Sequence, residues 1–361
     1  MKFKNHLDSF ISAFIEWVFR KKSRGLTTLR VGVTLLIALL AGLNLSITVP
    51  TPNGSFTLGW GNSGVDPLLA VILVGLAVAI VGVGIWLLIN EVGTEDRKRV
   101  FVVELQGLRD WNGPPLADHV PSSLIGRRDH IPVDMRQKVL DGVIIDPAVA
   151  LSKISSLRND LALRDSGIDR RDFSYVVGGL APVPLTFLAG VMLDDETPVS
   201  FMDWDRHAGL WSSLNNPDDG VRFIVDEVPS SAAPLGEVIL AVSASYSVDL
   251  INAQALLPGL PLVKMRIEGA TATSHFSAPK QVALGKQFFE TCLTLHSKGT
   301  TKIHLFLAAP SSLTLRFGTL YDKRNLPPVA VYQYEQGKPQ PFVWAIEMPV
   351  AGRREPKLLS W

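Results

Sequence analysis

The sequence predicts an α/β protein in which two copies of one α/β unit, related by a pseudo-twofold axis, follow an N-terminal hairpin of two membrane-spanning helices. Three observations predict it. Two uncharged stretches, Val31 to Val49 and Pro67 to Ile89, stand out in an otherwise mixed sequence. From Val100 onward, short β-rich runs alternate with helical ones, which implies crossovers and a largely parallel sheet. Residues 178–205 also resemble residues 307–335 at a nearly constant offset.

The hairpin comes first. Each uncharged stretch is close to the ~20 residues needed to cross a bilayer core, so spans are expected at about 31–49 and 67–89 within a hairpin over 29–92. Arg20, Lys21, Lys22, Arg24 and Arg30 precede the first span, and Arg97, Lys98 and Arg99 follow the second, while the loop from Pro50 to Asp66 has no Lys or Arg. By the positive-inside rule, an inner-membrane protein with both termini cytoplasmic and the loop outside is expected. Rich in Gly, Pro, Asn and Ser, the loop reads as a short exposed turn. Ahead of it, Leu7, Phe10, Ile11, Phe14, Ile15 and Val18 recur at helical spacing. Residues 1–28 are therefore expected to form an amphipathic helix in the membrane interface, with a helix packed on the soluble part as the alternative. The spans carry no charge for a proton or ion pathway. Their small residues (Ala38 and Gly42; Gly75, Ala79, Gly82 and Gly84) pack either within the hairpin or between protomers.

A net charge of +1 offers no basic stripe for a DNA or RNA polymer, and Cys292 as sole cysteine excludes an internal disulfide and thiolate zinc sites. Candidate strands are Phe101 to Leu108, Tyr175 to Leu180, Val199 to Trp204, Val238 to Ser243, Leu262 to Glu268, Ile303 to Ala308, Val329 to Tyr334 and Phe342 to Glu347. Candidate helices are Pro147 to Asp165, Pro184 to Leu193, Pro279 to Ser297 and Ser311 to Lys323.

GGLAPVPLTFLAGVMLDD at Gly178 superposes on LAAPSSLTLRFGTLYD at Leu307. Pro182 falls on Pro310, Leu185 on Leu313, Thr186 on Thr314, Gly190 on Gly318 and Asp194 on Asp322. After a two-residue insertion, Pro198 and Val199 meet Pro328 and Val329, and Trp204 meets Tyr334. The two copies are expected over 93–230 and 231–361.

Ligands of open α/β sheets sit outside the carboxyl ends of the strands, where helix N-termini favour anions. Ala309, Pro310, Ser311 and Ser312 form one such turn, and Gly179 and Leu180 its counterpart. Together they suit a ligand with several phosphates, although small residues at such turns also arise from steric need alone. Ser243, Ser245 and Tyr246 end another strand with hydroxyls and an aromatic ring, and Trp204 and Arg206 follow a third. The common phosphate-loop, dinucleotide, nucleophile-elbow and zinc motifs are missing, and the seven histidines are scattered. No enzyme, metal or cofactor is indicated.

The C-terminal half, KIHLFLAAPSSLTLRFGTLYDKRNLPPVAVYQYE with FVWAIEMP, resembles the end of the SAVED domain, and the upstream EVILAVSASYSV and PLVKMRIEG segments are similar to it as well. The resemblance implies two fused CARF-like (Rossmann-like) units and a sensor of cyclic oligonucleotides, cyclic trinucleotides above all, made by a cGAS/DncV-like nucleotidyltransferase in CBASS anti-phage defence. With a membrane hairpin in the effector position, it implies ligand-driven assembly that disrupts the lipid bilayer, and a head-to-tail homo-oligomer is the expected form of that assembly because a heterologous contact that does not close extends. The alternative is an anchored sensor that regulates a separate partner. In the first half GGLAPVP replaces the AAPSS turn.

Overall fold

The computed structural model describes residues 24–42, 45–51, 54–60, 67–107, 113–136, 139–140, 143–144, 146–193, 199–226, 228, 234–269, 275–353 and 355–361. The chain divides into two compact units, Met1–Lys98 and Arg99–Trp361. The expected interfacial helix lies almost wholly outside the described residues.

In the first unit, helix α1 (Arg24–Gly42) and helix α2 (Pro67–Arg97) flank an antiparallel pair of strands, β1 (Leu45–Thr51) and β2 (Gly54–Trp60). This corrects the first expected span, which was to run to Val49. From Leu45 onward apolar residues alternate with Ser and Thr, a period of two that hydropathy averaging does not distinguish from a helix. The expected plain turn is likewise a seven-pair β-hairpin. Among the described residues one helical stretch, Val71–Asn90, is long and apolar enough to cross a membrane, with mean hydropathy 2.9; Gly25–Leu39 is its shorter apolar partner. The helices meet through glycine. A Cβ built at Gly84 would lie 2.7 Å from the Leu29 amide nitrogen, and one at Gly25 2.7 Å from that of Leu88. Gly75 and Gly82 meet nothing within 4 Å, so of the small residues singled out in α2, Gly84 serves the hairpin seam.

The second unit holds two sheets. The first is ordered β4-β3-β7-β8-β9, from β3 (Arg99–Gln106), β4 (Arg127–Asp134), β7 (Phe173–Leu180), β8 (Val199–Asp205) and β9 (Leu210–Ser213). Between them lie a two-residue pair, β5 (Val139–Leu140) with β6 (Val143–Ile144), and helix α3 (Pro147–Asp165); helix α4 (Val183–Leu193) joins β7 to β8. The second sheet is ordered β10-β12-β11-β13-β14-β15-β16. Its strands are β10 (Ile224–Val225), β11 (Gly236–Ser243), β12 (Leu262–Arg266), β13 (Thr300–Ala308), β14 (Val329–Tyr334), β15 (Phe342–Glu347) and β16 (Lys357–Ser360). Its helices are α5 (Leu250–Leu256), α6 (Ala278–Ser297) and α7 (Ser311–Thr319).

The repeat is visible in this order. β4-β3-β7-β8 and β12-β11-β13-β14 are both parallel, and each is followed by an antiparallel strand, β9 or β15. Helix starts repeat too. Asp146 accepts from the Ala148 amide ahead of Pro147 at the start of α3, and Ser277 accepts from the Lys280 amide ahead of Pro279 in α6. Strands buried on both faces, such as Arg99–Gln106, read as continuous apolar runs because helices and loops cover both sides. One core cluster continues through both halves, from Phe101, Val103 and Leu105 to Leu240, Val242 and Phe317. Separate clusters lie on the outer faces, one around Val102, Met202 and Trp211 and one around Ile239, Phe306 and Tyr332 under α5.

Candidate functional site

The two turns expected to bind phosphate meet at the joint between the halves, where each closes the other. Ser312 is fully buried, and its amide and hydroxyl both donate to Asp203 Oδ2, at 2.9 and 2.7 Å. Asp203 lies in β8 of the other half and is itself 4% exposed. The Ser311 hydroxyl donates to the Gly179 carbonyl at 2.6 Å. The positive end of α7 is thus capped from within by a carboxylate, and Ser311 and Ser312 join the halves. Gly179 has a steric reason: a Cβ there would lie 2.3 Å from Leu105 Cβ. Pro310 precedes α7 and its carbonyl accepts from the Thr314 amide and hydroxyl, Ala309 packs on the core, and Leu180 packs on the outer cluster.

The joint is pseudo-symmetric in its chemistry. Gln333 of β14 accepts from the Val183 amide at 3.1 Å, capping α4 as Asp203 caps α7. Asp203 and Gln333 each stand one residue before the repeat pair Trp204 and Tyr334. The Thr186 and Thr314 hydroxyls donate to the Pro182 and Pro310 carbonyls, at 3.1 and 3.0 Å. Between these caps the helices cross with no room to spare: a Cβ at Gly190 would lie 2.2 Å from the Leu315 oxygen, and one at Gly318 2.1 Å from the Phe187 oxygen. On the Asp203 flank, Gln281 donates to the Ser312 hydroxyl at 2.8 Å, and the Arg316 guanidinium stacks on Phe201 at 4.9 Å. Burial lowers the Arg316 pKa.

Among the described residues, an open concavity lies at the carboxyl ends of β11 and β12, on the face that carries α5. It has a volume of about 350 Å³ and is lined by Ser243, Ser245, Tyr246, Lys264, Arg266 and Gly269, among others. Three of the expected residues, Ser243, Ser245 and Tyr246, therefore come together. The Tyr246 ring is 70% exposed, free to present a flat face to a ligand. The Ser243 hydroxyl accepts from the Val248 amide at 3.1 Å and fixes the turn.

Lys264 and Arg266 were not singled out from sequence, although Lys-x-Arg on a strand puts both cations on one face. In the structure they share Asp226, with Lys264 Nζ at 3.1 Å from Oδ2 and Arg266 at 3.0 Å from Oδ1. The bond to Lys264, followed by that to Arg266, holds the Asp226 carboxyl below the usual carboxylate range. Trp204 and Arg206 do not line this cavity. Trp204 packs edge-on to Trp211 at 5.4 Å, and Arg206 is exposed in the turn between β8 and β9.

The family model described as the SAVED-fused 2TM effector domain matches residues 4–151, and that of the SMODS-associated and fused to various effectors sensor domain (SAVED) matches residues 157–348. Among solved structures the chain is similar to the Acinetobacter baumannii Cap4 SAVED/CARF-domain containing receptor with the cyclic trinucleotide 2'3'3'-cAAA, at 13% identity over 78% of this chain and 60% of that one, with TM-score 0.47. The same receptor with 3'3'3'-cAAA gives 13% identity, the same coverages and TM-score 0.45. The Moraxella osloensis Cap4 SAVED/CARF-domain containing receptor gives 13% identity over 65% and 47% of the two chains, with TM-score 0.39. The chain thus spans 60% or less of the length of these receptors. No curated protein matches it.

Proposed function

This chain belongs to the SAVED family of sensor domains and carries that family's two-transmembrane effector segment at its N-terminus, and from that premise we propose that it is a CBASS anti-phage effector of the bacterial inner membrane. The sensor binds a cyclic oligonucleotide made by a nucleotidyltransferase after infection, a cyclic trinucleotide above all. Occupancy favours head-to-tail packing of sensor domains, a heterologous contact that extends rather than closes. Each added protomer brings another hairpin into one bilayer patch, and the patch fails.

The observation that supports this reading most is the cavity between β11 and β12, which combines the three things a nucleotide ring presents a need for. Lys264 and Arg266 supply charge for a phosphodiester, the Tyr246 ring supplies a stacking face, and Ser243, Ser245 and Ser247 supply hydroxyls. Asp226 tempers the site, since a phosphate has to share both cations with it.

The test is dye release from liposomes carrying the full-length protein, challenged with a panel of cyclic di-, tri- and tetranucleotides, beside direct binding. At least one ring is expected to bind and to release dye. Lys264→Ala with Arg266→Ala weakens binding by roughly tenfold or more, the scale of one or two charge-assisted contacts. Asp226→Asn, which removes a competing anion, tightens it. No release with any ring at any protein density sinks the effector reading, and unchanged affinity in the double variant moves the site elsewhere.

A further inference from the structure

The net charge of +1 conceals a local excess at one edge of the sensor. β4, β3 and β7 run parallel and in register, with Arg99 opposite Arg127 on one side and Phe173 on the other, so their first residues line up along the amino-terminal edge of the first sheet. At a strand spacing of about 4.8 Å, that edge spans roughly 10 Å. Within three residues of these strand starts stand Arg97, Lys98, Arg99, Arg127, Arg128, Arg170 and Arg171, against Asp96, Asp129 and Asp172. The repeat supplies the contrast. β12, β11 and β13 occupy the same places in the second sheet and start at Leu262, Gly236 and Thr300, with no arginine within three residues of any of them. The fold therefore does not demand arginine at this edge.

Ion pairs do not cancel this charge. Asp129 lies 3.3 Å from both Arg99 and Arg127, one carboxylate for two guanidinium groups. Arg128 donates to the Ala117 and Val120 carbonyls, at 3.2 and 2.8 Å, neutral acceptors that leave its charge in place. Arg171 pairs with Asp169 at 3.1 Å, but its side chain is 89% exposed, where such a pair is weak. The last turn of α3 reaches the same edge, because Tyr175, the third residue of β7, donates its hydroxyl to Asp165 at 2.9 Å. There Leu163 is 78% exposed, with the exposed Arg164 beside it. Chain connectivity bounds how far this edge lies from a bilayer. Lys98 alone separates α2 from β3, and nine residues lead from Asn90, the end of the apolar stretch, to Arg99, at most roughly 17 Å of helix and strand. The headgroup layer and one screening length at physiological salt together span a similar ~15 Å, so the field of a charged leaflet reaches the edge.

We propose that the amino-terminal edge of the first sheet is a docking surface for anionic phospholipid headgroups of the leaflet at which α2 ends, with Arg127, Arg128, Arg170 and Arg171 extending the Arg97-Lys98-Arg99 junction. The inference rests on the membrane reading above. Lipid is the occupant because the edge is basic, carries an exposed leucine among its arginines, and is tied by one residue to a membrane helix. Guanidinium groups suit phosphodiester headgroups through paired N–H donors. Docking turns one edge of every sensor toward the bilayer, so neighbouring protomers share an orientation before they meet.

Single-cysteine labelling tests it in the full-length protein in liposomes. Cys292 is buried and burial pushes its thiol up to about 12, so it stays unlabelled under mild alkylation. A fluorophore at Ser166→Cys, next to the last turn of α3, reports on the edge, one at Thr301→Cys on the corresponding edge of the second sheet, and one at Ile85→Cys on α2. Quenching of the Ser166 label by headgroup-nitroxide lipid is expected to be roughly threefold stronger in vesicles with about one-third phosphatidylglycerol than in pure phosphatidylcholine, and the difference to vanish in high salt. The Thr301 label is expected to ignore lipid charge. Arg127→Ala with Arg170→Ala and Arg171→Ala abolishes the difference, while Arg127→Lys with Arg170→Lys and Arg171→Lys keeps it, which separates charge from folding. Equal quenching of the Ser166 label in the two lipids, or a triple alanine variant that responds like the parent, overturns the inference. The Ile85 label separates the two levels: quenching there by acyl-chain nitroxide beside an indifferent edge leaves the spanning helix standing and removes only this proposal, and no quenching there removes both.

Discussion

Replacing Asp203 by Ala is expected to destabilise the sensor far more than replacing its repeat partner Gln333, although each caps one helix of the other half. Asp203 Oδ2 receives two buried bonds from Ser312 and Oδ1 receives the Trp204 amide at 2.8 Å. Bonds to a charged partner contribute about 1.5–3 kcal/mol each, and buried donors left without an acceptor bear the desolvation cost as well. Gln281 still donates to the Ser312 hydroxyl but cannot replace the lost acceptor. A loss of about 3 kcal/mol follows for Asp203→Ala, against about 1 kcal/mol for the single neutral bond from Val183 to Gln333. At roughly 2–4 °C per kcal/mol for a unit of this size, the midpoints fall by about 6–12 °C and 2–4 °C. Thermal unfolding of the full-length protein in detergent, followed by the fluorescence of buried Trp211 and Trp344, reads both. Asp203→Asn belongs between them, since it keeps an acceptor and loses the charge. Equal losses for Asp203→Ala and Gln333→Ala, or an Asn variant as stable as the parent, refute the idea that an internal carboxylate anchors α7.

Gly190→Ala and Gly318→Ala each force the crossing backbones apart and cost about 1–3 kcal/mol or more; because both relieve or create the same contact, the double variant loses less than the sum in thermal unfolding. Ser311→Ala lowers the melting midpoint by a few degrees through its lost bond to Gly179, while affinity for the cyclic ligand stays within about threefold; a tenfold loss of affinity returns Ser311 to the ligand. His304 makes stability depend on pH. Burial lowers its pKa, opposed by the bond to Glu237 and modified by Lys302 and Glu347 nearby, and its other nitrogen faces the Tyr332 hydroxyl at 2.8 Å. The unfolded chain therefore takes up a proton near the ordinary value of about 6.5 before the folded chain does, so this contribution is present above that pH and is lost as pH falls. His304→Gln should flatten the drop in midpoint between neutral and mildly acidic buffer, and an unchanged drop assigns it to other groups.

The repeat was legible because duplication preserves what the backbone demands. Gly190 and Gly318 align because each is the only residue type that lets the other's helix pass, and Thr186 and Thr314 align because each back-bonds to its own proline carbonyl. Edge elements were not foreseen. Arg127–Asp134 pairs alongside β3 yet reads RRDHIPVD, since an edge strand answers to solvent as much as to the core. The end of α1 escaped because helix and alternating strand have similar hydropathy over a short window. At the site, Ser311 and Ser312 were recognisable as a helix start, but the group opposite a helix start is a tertiary fact. It is a carboxylate 109 residues away in sequence. Lys264 and Arg266 acquire meaning only when the crossover through α5 sets β12 beside β11.

These two regions are not independent. The amides of Ala244 and Ser245, at the rim of the cavity, both donate to the Ala308 carbonyl, at 2.8 and 3.1 Å. Three residues beyond Ala308 the chain enters α7, whose first serine is bonded to Gly179 and whose second is held by Asp203. On the proposed function, a ligand over Tyr246 and Ser245 would act on a turn anchored to the same short segment that fastens the second half to the first. The clamp at Ser311 and Ser312 gives them a structural relevance as well. With α7 fixed at its N-terminus and locked glycine to glycine against α4, displacement of the 308–311 segment has little slack to absorb it, because packed interiors shift between discrete arrangements rather than deform continuously. Asp203 is the residue through which the segment beside the cavity is bonded to the other half, so Asp203→Ala is expected to loosen the pairing of the halves while leaving the cavity-lining residues in place.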